Sequence, residues 1–116
     1  MLTYTPVQDV IEALADPRRR RILELVRVGE LPAGAIAAHF GDVTRPAISQ
    51  HLRVLREAGL VAERRDGVRR LYRARAEGLH GVREFLDLFW DERLADLRRE
   101  AETAERSRRR ERGRDH

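Results

Sequence analysis

A chain of 116 residues, 41% of them hydrophobic, has room for one small domain with a modest core, which a partner subunit would extend. It contains no cysteine, so disulfides, thiolate metal sites and thiol redox switches are excluded, and all 24 basic residues are arginine. The net charge is only +4, so basic and acidic groups are interleaved. No run of about 18 apolar residues occurs and no basic stretch leads into an apolar one near Met1, which predicts a cytoplasmic protein without a membrane partner.

In chain order, Thr5-Pro6-Val7-Gln8 offers a capping box with proline at the first helical position, and Val7, Val10, Ile11 and Leu14 mark a short first helix. Asp16-Pro17 repeats the device before a second helix carrying Ile22, Leu23, Leu25 and Val26 and stopped at Gly29. Arg18 to Arg21 occupy its first turn, where the helix dipole favours acids. The block points either to an anion bound nearby or to a solvated helix end pairing with Asp16 or Glu24. A third helix, about Ala33 to Phe40, is short and directs Ile36, Ala37 and Phe40 inward. Gly41-Asp42-Val43 then turns the chain into a fourth.

This fourth helix is the most informative segment. Thr44 caps it, Pro46 sits in its first turn and Gly59 closes it. Ile48, Leu52 and Leu55, at i, i+4 and i+7, define a buried face at 100° per residue, and the opposite face presents Pro46, Ser49, Gln50 and Arg53. A short helix, a tight turn and such a second helix make a helix-turn-helix, whose second helix enters the major groove of DNA. Gln50 and Arg53 carry forked polar groups suited to adenine and guanine edges. Ser49 and Thr44 lie where a recognition helix meets base edges, although either could be a mere cap or solvated hydroxyl. His51 falls at the border of the core face, where a buried histidine and a phosphate or base contact are both open.

After Gly59, two β-prone runs, Leu60 to Arg65 and Val68 to Ala74, flank Asp66-Gly67, a signal for a hairpin with a type I′ turn. That turn sets Arg64 opposite Arg69, Glu63 opposite Arg70 and Val61 opposite Tyr72. Glu63 and Arg70 would then form a cross-strand ion pair. Arg64 and Arg69 would be opposed like charges that a DNA phosphate relieves. From Arg45 to Arg75 nine arginines face Glu57, Glu63 and Asp66, a local excess of 9 − 3 = +6 that singles this region out as the nucleic-acid surface.

From about Ala76 the pattern is again helical: Leu79, Val82, Leu86, Phe89 or Trp90, Leu94, Leu97, Ala101 and Ala104 recur at spacings of three and four on one long helix. With Phe85 this stripe exceeds what the small domain can cover, and it predicts contact with the first helix and a symmetry mate. Beyond Leu97 the chain is nearly all charged. Residues 98–116 are therefore expected to be a disordered tail to a domain spanning 1–97.

The segments ALADPRRRRILEL (Ala13 to Leu25), GELPAGAIAAHF (Gly29 to Phe40), RPAISQHLRVLREAGLV (Arg45 to Val61) and RRDGVRRLYRA (Arg64 to Ala74) together resemble the ArsR-type family of bacterial winged-helix repressors. The resemblance implies a mainly α fold with a β-hairpin wing, a winged helix-turn-helix that dimerises through its first and last helices and binds an inverted-repeat operator. By motif position it places DNA contact on Arg45, Ser49, Gln50 and His51 and on the arginines flanking Asp66-Gly67. Metal-sensing members carry two cysteines in a segment like ELCVCDL. Here Glu30 to Ile36 reads ELPAGAI, with Pro32 and Gly34 at those positions, so no cofactor or metal is expected. The turn before the fourth helix is one residue longer than the family pattern.

The DNA-binding set expected from all this is Thr44, Arg45, Pro46, Ser49, Gln50, His51, Arg53, Arg64 and Arg69. The partners expected are an operator duplex and a second copy of the chain. Regulation would come through protein abundance or an apolar or aromatic inducer near Phe85, Phe89 and Trp90. The alternatives are a histidine and carboxylate metal site involving His80 or His39, or a winged helix serving nonspecific DNA architecture or protein contact. An enzyme is not expected, because no nucleophile and base, carboxylate pair or phosphate-binding glycine loop is present.

Overall fold

The computed structural model describes residues 6–114. In order it contains α1 (Pro6–Leu14), α2 (Pro17–Val26), β1 (Leu31–Pro32), α3 (Ala33–Ala37), α4 (Arg45–Glu57), β2 (Val61–Asp66), β3 (Arg69–Ala74), a 3₁₀ turn (Ala76–Leu79) and α5 (His80–Arg114). The chain forms one compact unit that ends at Val82 and a second that begins at Arg83.

Local chemistry explains most boundaries. The Asp16 carboxylate accepts from the Arg18 amide at 2.8 Å, and Pro17 opens α2. Burial pushes the Asp16 carboxyl up, but that amide, the neighbouring His51 and Arg19 outweigh it and hold it below the ordinary value of 3.8. With its folded value depressed, the stabilisation Asp16 supplies is complete above that ordinary value and is lost as pH falls through the folded one. Asp16→Ala should cost about 1 kcal/mol in urea unfolding at neutral pH. The difference from the native chain should shrink as pH drops below the carboxylate range, and a difference independent of pH would exclude the cap as its source. The Thr5 capping box lies outside the described residues.

Of the two readings of the α2 arginine block, the structure favours the second: Arg19 lies 3.7 Å from Asp16 and Arg21 pairs with Glu24. The arginines also turn to backbone carbonyls, which the sequence did not indicate. Arg19 donates to the carbonyls of Ala13 (2.7 Å) and Glu12 (3.0 Å), and Arg20 to those of Leu14 (2.6 Å) and Ala15 (3.3 Å). Guanidinium groups thus satisfy the orphan carbonyls and negative dipole at the end of α1, while Arg18 pairs with Asp42 at 3.5 Å and Arg21 with Glu24 at 3.3 Å. The third helix stops at Ala37 rather than near Phe40, and tight turns at His39 and Phe40 finish the segment.

The core of the first unit gathers Val10 and Ala13 of α1, Ile22 and Val26 of α2, Ile36 of α3, and Ile48, Leu52 and Leu55 of α4, with Leu60, Val61 and Tyr72. Ile48, Leu52 and Leu55 are at most 1% exposed, so the expected buried stripe of α4 is the one observed. Its burial contributes about 1.5 to 3 kcal/mol per side chain and fixes which face of α4 points outward.

The sheet has the order β1-β3-β2. The two-residue strand β1, which no local sequence signal marks, pairs Leu31 with Tyr72 and Pro32 with Leu71. Its partner β3 is therefore central, and both Leu71 and Tyr72 are buried although they lie on opposite faces. The hairpin register also differs from expectation. Asp66 pairs with Arg69, Arg65 with Arg70, Arg64 with Leu71 and Glu63 with Tyr72, so the loop residues are Gly67 and Val68. Gly67 has φ +65° and no other residue of the loop is positive, which rules out type I′ and leaves the pattern of a lone glycine at the first central position.

A 3₁₀ turn precedes α5, which then runs 35 residues to Arg114. The frayed end expected beyond Leu97 is not what the structure has. Alanines and ion pairs one turn apart favour helix there, including Arg98 with Glu102 (3.4 Å), Arg99 with Asp96, and Arg108 with Glu105 (2.9 Å). The apolar residues of α5 beyond Val82 are exposed: Phe85, Leu86, Leu88, Phe89, Trp90, Leu94 and Leu97. Phe85 and Phe89 pack edge to face with centroids 5.3 Å apart.

Candidate nucleic-acid interface

Three elements of the first unit position the polar groups that the sequence singles out. The Thr44 hydroxyl accepts from the Ala47 amide at 3.3 Å, so its capping role is real and α4 begins at Arg45. Arg45, Pro46, Ser49, Gln50 and Arg53 are all exposed, on the side away from Ile48, Leu52 and Leu55. Arg45 folds back over α3. Its guanidinium lies 3.4 to 3.6 Å from where a Cβ at Gly34 would sit, an ordinary contact distance. Arg53 is paired with Glu57 one turn on, at 3.1 Å.

His51 is half-buried, and its Nδ1 is shut from solvent without a hydrogen-bond partner. That nitrogen cannot reach a ligand. The ring adds a smaller electrostatic contribution to the lowered Asp16 pKa, with no hydrogen bond between them.

The excess of positive charge between Arg45 and Arg75 is smaller in the folded chain than in the sequence. Glu63 takes both Arg56 of α4 and Arg70 of β3, the latter at 3.3 Å, and so joins the end of α4 to the hairpin. The Glu63 and Arg70 pair was legible in the sequence, but it spans a diagonal of the hairpin, since Glu63 faces Tyr72. Arg75 donates to the Gly59 carbonyl at 3.0 Å and lies 3.9 Å from Glu77. Arg64 makes a two-pronged contact with Glu30, at 2.8 and 2.9 Å. The Arg64 hydrogen bond, with Arg73 nearby, holds the Glu30 carboxyl below its usual range against a smaller opposing effect of burial.

The expected opposition of Arg64 and Arg69 is thus corrected: Arg64 faces Leu71 and reaches back to Glu30, and Arg69 faces Asp66. The opposed cations are Arg65 and Arg70. Because Arg70 is compensated by Glu63, Arg65 carries the uncompensated charge. Among the described residues no carboxylate lies within ion-pair distance of Arg45, Arg65, Arg69 or Arg73. Three of these four cluster at the start of α4 and the tip of the hairpin. The resemblance placed contact on the arginines flanking Asp66-Gly67, Arg65 among them, but the choice of Arg65 over Arg64 depends on a register that two adjacent turn positions could each have produced.

A cleft of about 830 Å³ opens elsewhere in the same unit, lined by Leu23, Arg27, Arg73 and Leu79 among others, and Phe85, Phe89 and Trp90 take no part in its lining.

A short helix, a turn, an exposed polar helix and a basic two-stranded wing define a winged helix-turn-helix regulator. The pattern for bacterial regulatory proteins of the arsR family matches residues 16–63. HTH-type transcriptional regulator Rv2034 of Mycobacterium tuberculosis is 44% identical over 94 residues, covering 81% of this chain and 87% of that one. The arsenical resistance operon repressor of Staphylococcus xylosus is 31% identical over 87 residues, covering 75% and 83%. A solved structure described as a possible transcriptional regulator for arsenical resistance superposes with a TM-score of 0.64 at 48% identity, covering 76% of this chain and 95% of that one. The winged helix-turn-helix domain Mb0332 from Mycobacterium bovis, described as homodimeric and DNA-binding, gives 0.60 at 32% identity, covering 79% and 92%. The chain belongs to the arsR family of bacterial regulatory proteins, as its sequence segments implied, and it is a regulator and not an enzyme.

Proposed function

We propose that the chain is a cytoplasmic, homodimeric repressor that binds an inverted-repeat operator, with α4 in the major groove and the wing on the flanking backbone. The observation that carries this is the exposed face of Arg45, Pro46, Ser49 and Gln50 beside a hairpin tip whose Arg65 and Arg69 have no carboxylate partner among the described residues. Gln50 and Arg53 read base edges. Arg53 is free to do so because an exposed pair one turn apart is worth about 0.3 to 0.5 kcal/mol, less than the roughly 1 to 3 kcal/mol of a good base contact. Thr44 and Pro46 set the start of the helix and approach the backbone. His51 contributes through Nε2 or not at all. Arg64 keeps its structural tie to Glu30, and Arg65 takes its place as a phosphate ligand beside Arg69.

Dimerisation is supported by the exposed apolar side chains of α5, a cluster of the kind that marks an interaction surface, and by the homodimer described for the M. bovis relative. Pairing of this cluster would join residues up to 97 into one DNA-binding and dimerisation domain. No helix among the described residues is long and apolar enough to cross a membrane.

The test is duplex binding across a range of salt. Replacing Arg65 and Arg69 with Ala should weaken binding to operator and random DNA alike. The slope of log K against log salt should fall by about 0.9 for each phosphate that the variant no longer neutralises. An unchanged slope refutes the wing assignment. The same assay should show no response to micromolar zinc, since Pro32 and Gly34 stand where the metal-sensing family pattern has cysteines and no three metal-ligating side chains cluster among the described residues. A tenfold weakening by zinc would instead point to His80 or His39.

A further inference from the structure

The arginines that end α5 are sorted onto two faces. Arg108, Arg109 and Arg112 gather around one carboxylate, Glu105, at 2.9, 3.3 and 3.3 Å. At 100° per residue, Arg106, Arg110 and Arg114 lie on another face, at i, i+4 and i+8. Among the described residues none of these three has a carboxylate within ion-pair distance. Arg106 reaches only the Thr103 hydroxyl, at 3.3 Å, and Glu102, the acid one turn before it, is held by Arg98 at 3.4 Å. With a rise of about 1.5 Å per residue the three form a ladder with steps of about 6 Å.

Charge along the helix is segregated as well. Arg83 to Glu105 holds four arginines and eight acids, 4 − 8 = −4, whereas Arg106 to Arg114 holds six arginines and one acid, 6 − 1 = +5. Like charges one turn apart on a helix repel unless an anion lies between them. Guanidinium groups are the cations best shaped to hold phosphate oxygens in pairs.

We propose that the Arg106, Arg110 and Arg114 face of α5 is a second, sequence-blind contact to the phosphate backbone of DNA, separate from α4 and the wing. It rests on the DNA-binding reading above. The competing occupant is the acidic stretch from Arg83 to Glu105 of a second copy. That stretch spreads a net −4 over about 34 Å of helix, roughly one charge per 9 Å, whereas duplex DNA offers one per about 1.7 Å. The polymer suits a ladder of this spacing far better.

The full-length chain is titrated with operator and random duplexes at several salt concentrations, beside two variants of equal charge: R106Q/R110Q/R114Q and R108Q/R109Q/R112Q. The first should flatten the slope of log K against log salt by about 2.7 per protomer, about 0.9 for each of three phosphates. The ratio of operator to random affinity should stay unchanged. The second should flatten it by less than half as much. Equal effects of the two variants overturn the proposal, as does an unaltered slope in the first. So does a first variant that dissociates the dimer in sedimentation while keeping its slope, which would assign the ladder to the partner's acidic stretch. A wild-type chain that binds neither duplex at about 50 mM salt overturns both this inference and the function it rests on, whereas a normal wild-type slope with an unchanged variant overturns this one alone.

Discussion

Leu55→Ala is expected to lower the stability of the chain by about 2 to 5 kcal/mol. Leu55 is fully buried on the inner face of α4, in the cluster it shares with Ile22, Val26, Ile36 and Leu60. Truncation removes its transfer energy and leaves a void between helices that cannot close on it. A domain of this size is stable by only about 5 to 15 kcal/mol, so the variant would lose a large part of the whole and would release the recognition helix with it. Urea unfolding at one fixed protein concentration measures this without the bias that subunit association introduces. Leu55→Met conserves volume and should cost less than about 1.5 kcal/mol. A loss below about 1 kcal/mol for the alanine variant would mean that α4 is not anchored by this face.

The largest effect on function should come from Gln50→Ala. Gln50 is exposed on α4, its amide can pair with adenine in two places, and among the described residues no side chain hydrogen-bonds to it. Removing that pairing should reduce discrimination between operator and random DNA by about 1 to 3 kcal/mol, about 5- to 150-fold. Binding to random DNA should barely change, because the wing still holds the phosphates. Competition binding with the two duplexes separates the terms. Equal loss on both would turn Gln50 into a backbone ligand.

Much of this was legible in the sequence because it depends on neighbours within a turn or two. The caps at Asp16 and Thr44, the proline starts, the close of α4 at Gly59 and the stripe of Ile48, Leu52 and Leu55 are written in residues three or four apart. Helical periodicity turns that spacing directly into a buried and an exposed face. The winged helix-turn-helix followed from such local signals in order. The state of individual charges did not. Arg64 is claimed by Glu30, 34 residues away, Arg56 and Arg70 share Glu63, and Arg19 and Arg20 close the end of α1. None of these partners can be chosen until the strands and helices meet. Asp66-Gly67 and Gly67-Val68 both satisfy a two-residue loop, and a slip of one residue decides whether Arg64 or Arg65 is left uncompensated at the wing tip. A hairpin's side chains alternate with period two, so its register, and with it the cations offered to a partner, is set by the packing of Leu71 and Tyr72 and by pairing with β1, which only the tertiary structure supplies.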